Sequence, residues 1–228
     1  MRDIGNKDTR YSPIRSANRY IKNFLSVVLP NNVIMWKGKR RTNEIAITFD
    51  DGPNPAYTEK VLNILQRYNV RATFFLLGCE VEKYPDIARY LVSLGHSIGN
   101  HTYSHMYKQR TVKSKLMSEI QETQVIIEQT TGIIPKMFRP PHGRIDINRL
   151  RYCKKNGLST VLWSIDSMDY KKSGTELILR NVNRHTIEFG DIVLFHDDNE
   201  YTLEALPIIL DNLIERYRFV TVEQMIQI

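Results

Sequence analysis

Cysteine is scarce in this sequence of 228 residues, and long apolar runs are absent. Cys79 and Cys153 give no disulfide framework and lack the spacing of a metal site, so we expect reduced thiols in or near a core. No apolar run reaches the ~18 residues that a membrane-spanning helix needs. Internal repeats and low-complexity tracts are also missing. With 42% apolar residues, the chain can instead bury one sizeable core as a single α/β domain.

The excess positive charge of the chain is confined to its first 41 residues. This leader, residues 1–41, has ten Lys and Arg residues against two Asp, whereas residues 42–228 have 22 basic and 23 acidic residues. We predict a leader that is flexible in part and contains a short amphipathic helix, either packed on the body or contacting an anionic membrane surface. The apolar residues at helical spacing are Ile21, Phe24, Leu25 and Val28. The near-neutral body argues against nucleic-acid binding.

The leader also bears on localisation. Residues 23–36 carry no charge and follow six basic residues, a layout that weakly resembles an export signal or a membrane anchor. Pro30 interrupts this stretch, and no clear cleavage site follows it. The sequence therefore favours a cytoplasmic or membrane-peripheral protein, with the cell envelope as the alternative.

In the body, segments typical of buried strands alternate with segments of helical periodicity. This alternation predicts parallel βαβ units, and about seven of them favour a distorted, closed or nearly closed (β/α) barrel. In such a barrel, reactive groups gather at the C-terminal ends of the strands. The predicted strands are 45–49, 72–77, 97–99, 136–138, 159–164, 191–195 and 219–221; predicted helices include 111–131, 175–187 and 203–217.

Two adjacent carboxylates, Asp50 and Asp51, end the first of these strands. Successive side chains on a strand diverge, so one carboxylate can bind a cation while the other points toward whatever the cation activates. The alternative is an ordinary Asx turn, because Asp-Asp-Gly-Pro is good turn chemistry. The motif alone does not decide between the two.

A pair of histidines, His101 and His105, follows the third strand at a spacing of four residues. One helical turn would bring both imidazoles to the same side, where they could share a metal with Asp51. Two imidazoles and one carboxylate leave a divalent ion such as zinc with an open position for water, and Asp50 could then accept a proton from that water. A solvated helix face is the commoner explanation of an isolated pair.

Three further strand ends carry groups suited to catalysis. Arg139, held in a turn by two prolines, could grip and orient the carboxylate of Asp50, and backbone N–H groups of that turn could face an oxyanion. Asp166 and Asp169 follow the fifth strand. His196 ends the sixth, where a carboxylate from the adjacent strand end would make it a general acid. The alternatives are a solvated surface arginine and a satisfied core histidine.

Taken in order, these motifs resemble those of the NodB-type polysaccharide deacetylases, carbohydrate esterase family 4, over about residues 44–226. T-F-D-D-G-P at 48–53 and H-T-Y-S-H at 101–105 match the first two family motifs. The resemblance implies a divalent metal, most often zinc with cobalt or another ion as alternatives, held by Asp51, His101 and His105. It also implies Asp50 as the catalytic base and Arg139 as the residue that orients it.

The remaining motifs match with two substitutions. The resemblance implies His196 as the acid, Asp169 as the carboxylate that tunes it, and Leu194 in the acetyl pocket. His142 stands where the family has a tyrosine whose main-chain N–H binds the oxyanion, so that role is retained while side-chain contacts to the sugar change. Tyr170 replaces a tryptophan that lines the groove. Both substitutions bear on substrate choice more than on chemistry.

The resemblance implies a hydrolase that removes N-acetyl groups from an amino sugar in a glycan of the chitooligosaccharide, peptidoglycan or exopolysaccharide type. One alternative is a deacetylase or deformylase of a lipid-linked sugar at the membrane, which the basic leader favours. A catalytically silent glycan-binding module is the alternative of another class, and intact Asp50 and His196 argue against it. The sequence leaves the polymer, the metal used in vivo and the oligomeric state open.

Overall fold

The structure is a computed structural model of the chain and describes residues 30, 33–39, 42–105, 113–183 and 185–226. The amphipathic helix predicted in the leader lies outside these residues, as do the first two residues of the helix predicted at 111–131. Within the part of the chain that is described, no helix is both long enough and apolar enough to cross a membrane.

The described residues form one curled sheet of parallel strands, which confirms the predicted distorted (β/α) barrel. The strands pair in the order β1-β6-β5-β4-β3-β2-β8-β7, and β9 pairs with the start of β2. Their C-terminal ends therefore meet at one rim. The strands are β1 Ile34–Met35, β2 Glu44–Asp50, β3 Thr73–Leu76, β4 Ser97–Asn100, β5 Met137–Phe138, β6 Ser159–Val161, β7 Ile165–Asp166, β8 Ile192–His196 and β9 Arg218–Phe219.

Helices connect the strands and cover the outside of the sheet. Two of them begin with side-chain caps: Asp146 accepts the N–H groups of Asn148 and Arg149, and Asn199 accepts that of Thr202. The helices are α1 Thr58–Arg67, α2 Gly78–Lys83, α3 Pro85–Ser93, α4 Lys113–Thr131, α5 Ile147–Lys155, α6 Thr175–Asn181, α7 Glu200–Leu213 and α8 Val222–Ile226. Short 3₁₀ turns occur at Pro141–Gly143 and Asp169–Lys171.

The closure of the barrel differs from the prediction. The single strand predicted at 159–164 is wrong, because the chain there changes partners: Leu162 N–H donates to the Met35 carbonyl on β1, whereas Ser164 N–H donates to the Ile192 carbonyl on β8. It therefore forms β6 and β7 at opposite sides of the sheet. Strand β1 lies on the leader side of the predicted boundary at residue 42.

The alternation of side chains along β2 determines which of them face the barrel interior. Ile45, Ile47 and Phe49 pack in the layer between the sheet and its helices, where Phe49 stacks on Phe74 and Phe195 with ring centroids 4.9 and 5.8 Å apart. The intervening residues face the barrel interior, as Ala46 does in the cluster that contains Met35, Phe75 and Met137. Asp50 therefore ends the strand on the interior side, at the mouth of the barrel.

Candidate active site

Asp50 and Arg139 form a buried ion pair at this mouth. Arg139 Nη1 donates to Asp50 Oδ1 at 2.7 Å and to Thr48 Oγ1 at 2.7 Å, and Nη2 donates to the Leu162 carbonyl at 3.1 Å. The guanidinium lies 4.0 Å from the ring centre of Phe75, and the residue is fully buried. Burial lowers the pKa of Arg139, and the charge of Asp50 opposes that shift. One nitrogen of the guanidinium, and not both arms of the fork, holds the carboxylate.

Asp51, His101 and His105 bring three potential metal ligands together. Their ligand atoms all lie within 4.8 Å of one another, and Asp51 Oδ1 stands 3.4 Å from His101 Nε2 and 3.5 Å from His105 Nε2. Two atoms each about 2.1 Å from a tetrahedral zinc would stand about 3.4 Å apart. Asp51 Oδ1 is buried and accepts no hydrogen bond from the described residues. This orphaned oxygen and the spacing of the three atoms fit a divalent cation.

The protonation of His101 also suits a ligand. Its Nδ1 lies 2.7 Å from the Arg139 carbonyl, which can only accept, so Nδ1 carries the hydrogen and Nε2 presents its lone pair toward Asp51. Burial lowers the pKa of His101, which keeps the ring neutral, although the charges of Asp50 and Asp51 oppose that shift. Burial likewise lowers the pKa of His105.

The two histidines converge for a reason that the spacing argument missed. The prediction that one helical turn aligns them is wrong, because residues 101–105 form an irregular loop with positive φ angles at Thr102 (74°) and His105 (53°). Hydrogen bonds hold this loop, among them that from the Thr102 N–H to Asn100 Oδ1 at 2.9 Å.

His196 lies beside Asp50 on the adjacent strand and is bound by Asp169. Its Nδ1 is 2.7 Å from Asp169 Oδ1, its backbone N–H donates to Asp169 Oδ2 at 2.6 Å, and its Nε2 lies 4.0 Å from Asp51 Oδ2. Burial alone lowers the pKa of His196, but the hydrogen bond and charge of Asp169, with smaller contributions from Asp50 and Asp51, outweigh it and raise the pKa to about 10. His196 is thus held protonated, and its Nε2 faces Asp51.

Replacing Asp169 with asparagine is expected to lower kcat about 100-fold without unfolding the protein. An amide can fill the same space, but it carries no charge to stabilise a protonated imidazole, and general acid catalysis typically contributes 10²–10⁴-fold. The measurement is kcat for the reaction that the motif resemblance implies, for Asp169→Asn beside Asp198→Asn, a matched change two residues before α7 in a residue that pairs with Lys172. Wild-type kcat in Asp169→Asn would contradict the role of this carboxylate.

An open cleft of about 360 Å³ connects these groups. Eight of the ten residues predicted for the site line it, while Arg139 and Asp169 lie buried behind it. The lining residues are Asp50, Asp51, His101, His105, His142, Trp163, Asp166, Tyr170, Leu194 and His196.

The two substituted motif positions contact different residues of the site. The ring of His142 contacts that of His105 edge-on, with centroids 4.9 Å apart, and its backbone has a φ of 55°. Tyr170 is 46% exposed, and its ring centroid is 5.9 Å from that of His196. Each substituted ring therefore touches a residue of the predicted machinery while remaining at the cleft surface.

Sequence reasoning missed two hydroxyl groups that support the charged residues. Thr48 accepts from Arg139 and donates to the Val193 carbonyl, and Thr202 Oγ1 donates to Asp169 Oδ2 at 2.9 Å. The position of Thr48 could be predicted from the sequence, because it precedes Asp50 by two residues and so lies on the same side of the strand. The contact of Thr202 with Asp169 could not be predicted, since Thr202 lies on a helix 33 residues away in the sequence.

Comparison with known proteins places these features in a family. A family model described as polysaccharide deacetylase matches residues 37–161. The chain is 38% identical over 204 residues to a peptidoglycan-N-acetylglucosamine deacetylase of Bacillus cereus, covering 87% of this chain and 95% of the relative. Among solved structures, the Bc1960 peptidoglycan N-acetylglucosamine deacetylase superposes with a TM-score of 0.84 at 34% identity, covering 90% of this chain and 96% of that one. A family 4 pseudoenzyme from Bacillus anthracis superposes with a TM-score of 0.79 at 27% identity, covering 85% and 68%.

Proposed function

Because the chain belongs to the polysaccharide deacetylase family, we propose that it removes acetyl groups from the N-acetylglucosamine of peptidoglycan with the help of a divalent cation, zinc first among the candidates. The similarity to relatives named as peptidoglycan deacetylases supports a hydrolase that N-deacetylates a glycan. The choice of peptidoglycan is supported by the Bacillus cereus relative, because the similarity extends over 95% of that protein.

Asp51, His101 and His105 would hold the cation. Their carboxylate and imidazole donors suit zinc, and three protein ligands leave a coordination position for the reactants. When bound, such a cation supplies Lewis-acid activation of water and of the amide carbonyl.

Asp50 would act as the general base. Arg139 occupies its Oδ1, while Oδ2 lies 3.7 Å from His101 Nε2 and so faces the space that the ligand residues enclose. A proton taken from the attacking water would pass to Oδ2. The hydrogen bond from Arg139 fixes the orientation of the carboxylate, as a positioned base requires.

His196 would deliver a proton to the departing amine. Asp169 accepts the hydrogen bond from Nδ1, so the proton that the imidazolium can give is the one on Nε2. Leu194 lies two residues earlier on the same strand and lines the cleft, where an apolar side chain suits the acetyl methyl group. Tyr170 and His142 would contact the sugar, and the backbone N–H of His142 would contribute to oxyanion binding.

Acetate release from a panel of glycans tests this function. We expect purified peptidoglycan and its N-acetylglucosamine-containing fragments to yield acetate, and a strong chelator to abolish release until zinc or cobalt is restored. N-acetylated chitooligosaccharides and lipid-linked amino sugars complete the panel. Faster release from either of these than from peptidoglycan would overturn the proposed substrate, and full activity after exhaustive chelation would overturn the role of the cation.

A further inference from the structure

The loop that carries both histidine ligands is tied to one turn of helix α4. Glu119 is buried in this turn, and both of its carboxylate oxygens bind Ser104: the Ser104 N–H donates to Oε2 at 3.1 Å and the Ser104 hydroxyl donates to Oε1 at 2.8 Å. The next residue of α4, Ile120, accepts a hydrogen bond from the Asn100 side chain at 2.8 Å. The same helical turn thus holds the residue before His101 and the residue before His105.

The first half of the loop has other anchors. The Gly78 and Cys79 N–H groups at the start of α2 donate to the Thr102 and Tyr103 carbonyls, each at 3.0 Å. These backbone bonds end at Tyr103. The second half of the loop is bound to Glu119 through Ser104. This half also contains His105, whose positive φ is one that few residues other than glycine adopt.

We propose that Glu119 is a positioning residue that sets the geometry of His105 for cation binding, an inference that rests on the cation site of the proposed function. His105 Nε2 stands 3.5 Å from Asp51 Oδ1, and a rotation of the loop at Ser104 would move that atom out of the group. Groups behind metal ligands commonly change metal affinity 10–100-fold when they are replaced. The carboxylate acts from a helix whose neighbouring residues Leu116, Ile120 and Thr123 are buried, so it is a rigid support.

Zinc affinity measured in competition with a chromophoric chelator tests the proposal on the full chain. Methionine keeps a similar size of side chain but cannot replace either hydrogen bond with Ser104, so Glu119→Met is expected to weaken zinc binding about tenfold or more. Ser104→Ala removes only the hydroxyl bond and should weaken binding less, and the two changes together should cost less than the product of their separate effects. Glu128→Met, the same change at an exposed position of α4, should bind zinc like the wild type.

The thermal midpoint of the metal-free proteins separates positioning from mere support of the fold. Unchanged zinc affinity in Glu119→Met, with or without a lowered midpoint, would overturn the proposal and leave the cation site intact. Failure of the site itself would look different: the wild type would bind no zinc, or Asp51→Ala would bind it as tightly as the wild type.

Discussion

The Asp50→Asn variant is expected to lose about 10³-fold in kcat while remaining folded, though less stable because Arg139 loses its countercharge, and keeping its zinc affinity. The amide oxygen of asparagine can still accept the hydrogen bond from Arg139 Nη1 that Asp50 Oδ1 accepts at 2.7 Å. The amide cannot take up a proton, however, and general base catalysis typically contributes 10²–10⁴-fold. The measurement is kcat on a soluble fragment of the preferred glycan, together with zinc affinity and the thermal midpoint of the same preparation.

Asp86→Asn provides the matched control for this variant. Asp86 pairs with Arg89 on the surface of α3 and does not line the cleft, and its side chain is 92% exposed. We expect this control to keep wild-type kcat. Equal activity in Asp50→Asn would remove Asp50 from the mechanism, whereas a loss of zinc affinity would place Asp50 among the ligands.

The strand-end groups could be predicted from the sequence because they follow from local rules. An apolar run rich in β-branched residues defines β2, period two places Asp50 inside the barrel, and the parallel βαβ order brings strand ends to one rim. The contact between Arg139 and Asp50 follows from that shared rim, although the two residues are 89 positions apart.

Features that depend on distant partners escaped the same rules. Strand β1 contains two residues, too few for a periodicity, and it forms because Ile34 and Met35 pair with Thr160 and Val161 on β6. The break between β6 and β7 is likewise set by a change of hydrogen-bond partner that no local pattern encodes. In the sequence, Glu119 is one of several polar residues of a long helix, and its contact with Ser104 is evident only in the folded structure.

The same reasoning explains why His101 and His105 converge without the helical turn that their spacing predicts. Their spacing predicts a helical turn. The imidazoles instead converge because they lie on a loop with two positive φ angles, which hydrogen bonds hold to the start of α2 and to Glu119 of α4. Sequence spacing limits how far apart two ligands can lie, whereas the direction of each ring depends on hydrogen bonds to residues elsewhere in the chain.

Replacing Arg139 with methionine is expected to lower the free energy of unfolding by about 3–5 kcal/mol, since removing one partner of a buried ion pair leaves the other charge without compensation. Methionine fills comparable space but donates nothing, so Asp50, Thr48 and the Leu162 carbonyl each lose the hydrogen bond that Arg139 gave them. Activity should fall with stability, because nothing then fixes the orientation of the base. The measurement is urea unfolding of the metal-free protein at neutral pH.

A double-mutant cycle separates the ion pair from the simple loss of packing. If the buried charge of Asp50 causes most of the damage, Arg139→Met should cost clearly less stability in an Asp50→Asn background than in the wild type. Arg89→Met, which removes an exposed arginine from its surface pair with Asp86, should change the free energy of unfolding by less than about 1 kcal/mol. Equal costs of Arg139→Met in the two backgrounds would contradict this. The guanidinium would then stabilise the barrel by packing and by hydrogen bonds to neutral groups, and its attraction to the charge of Asp50 would contribute nothing.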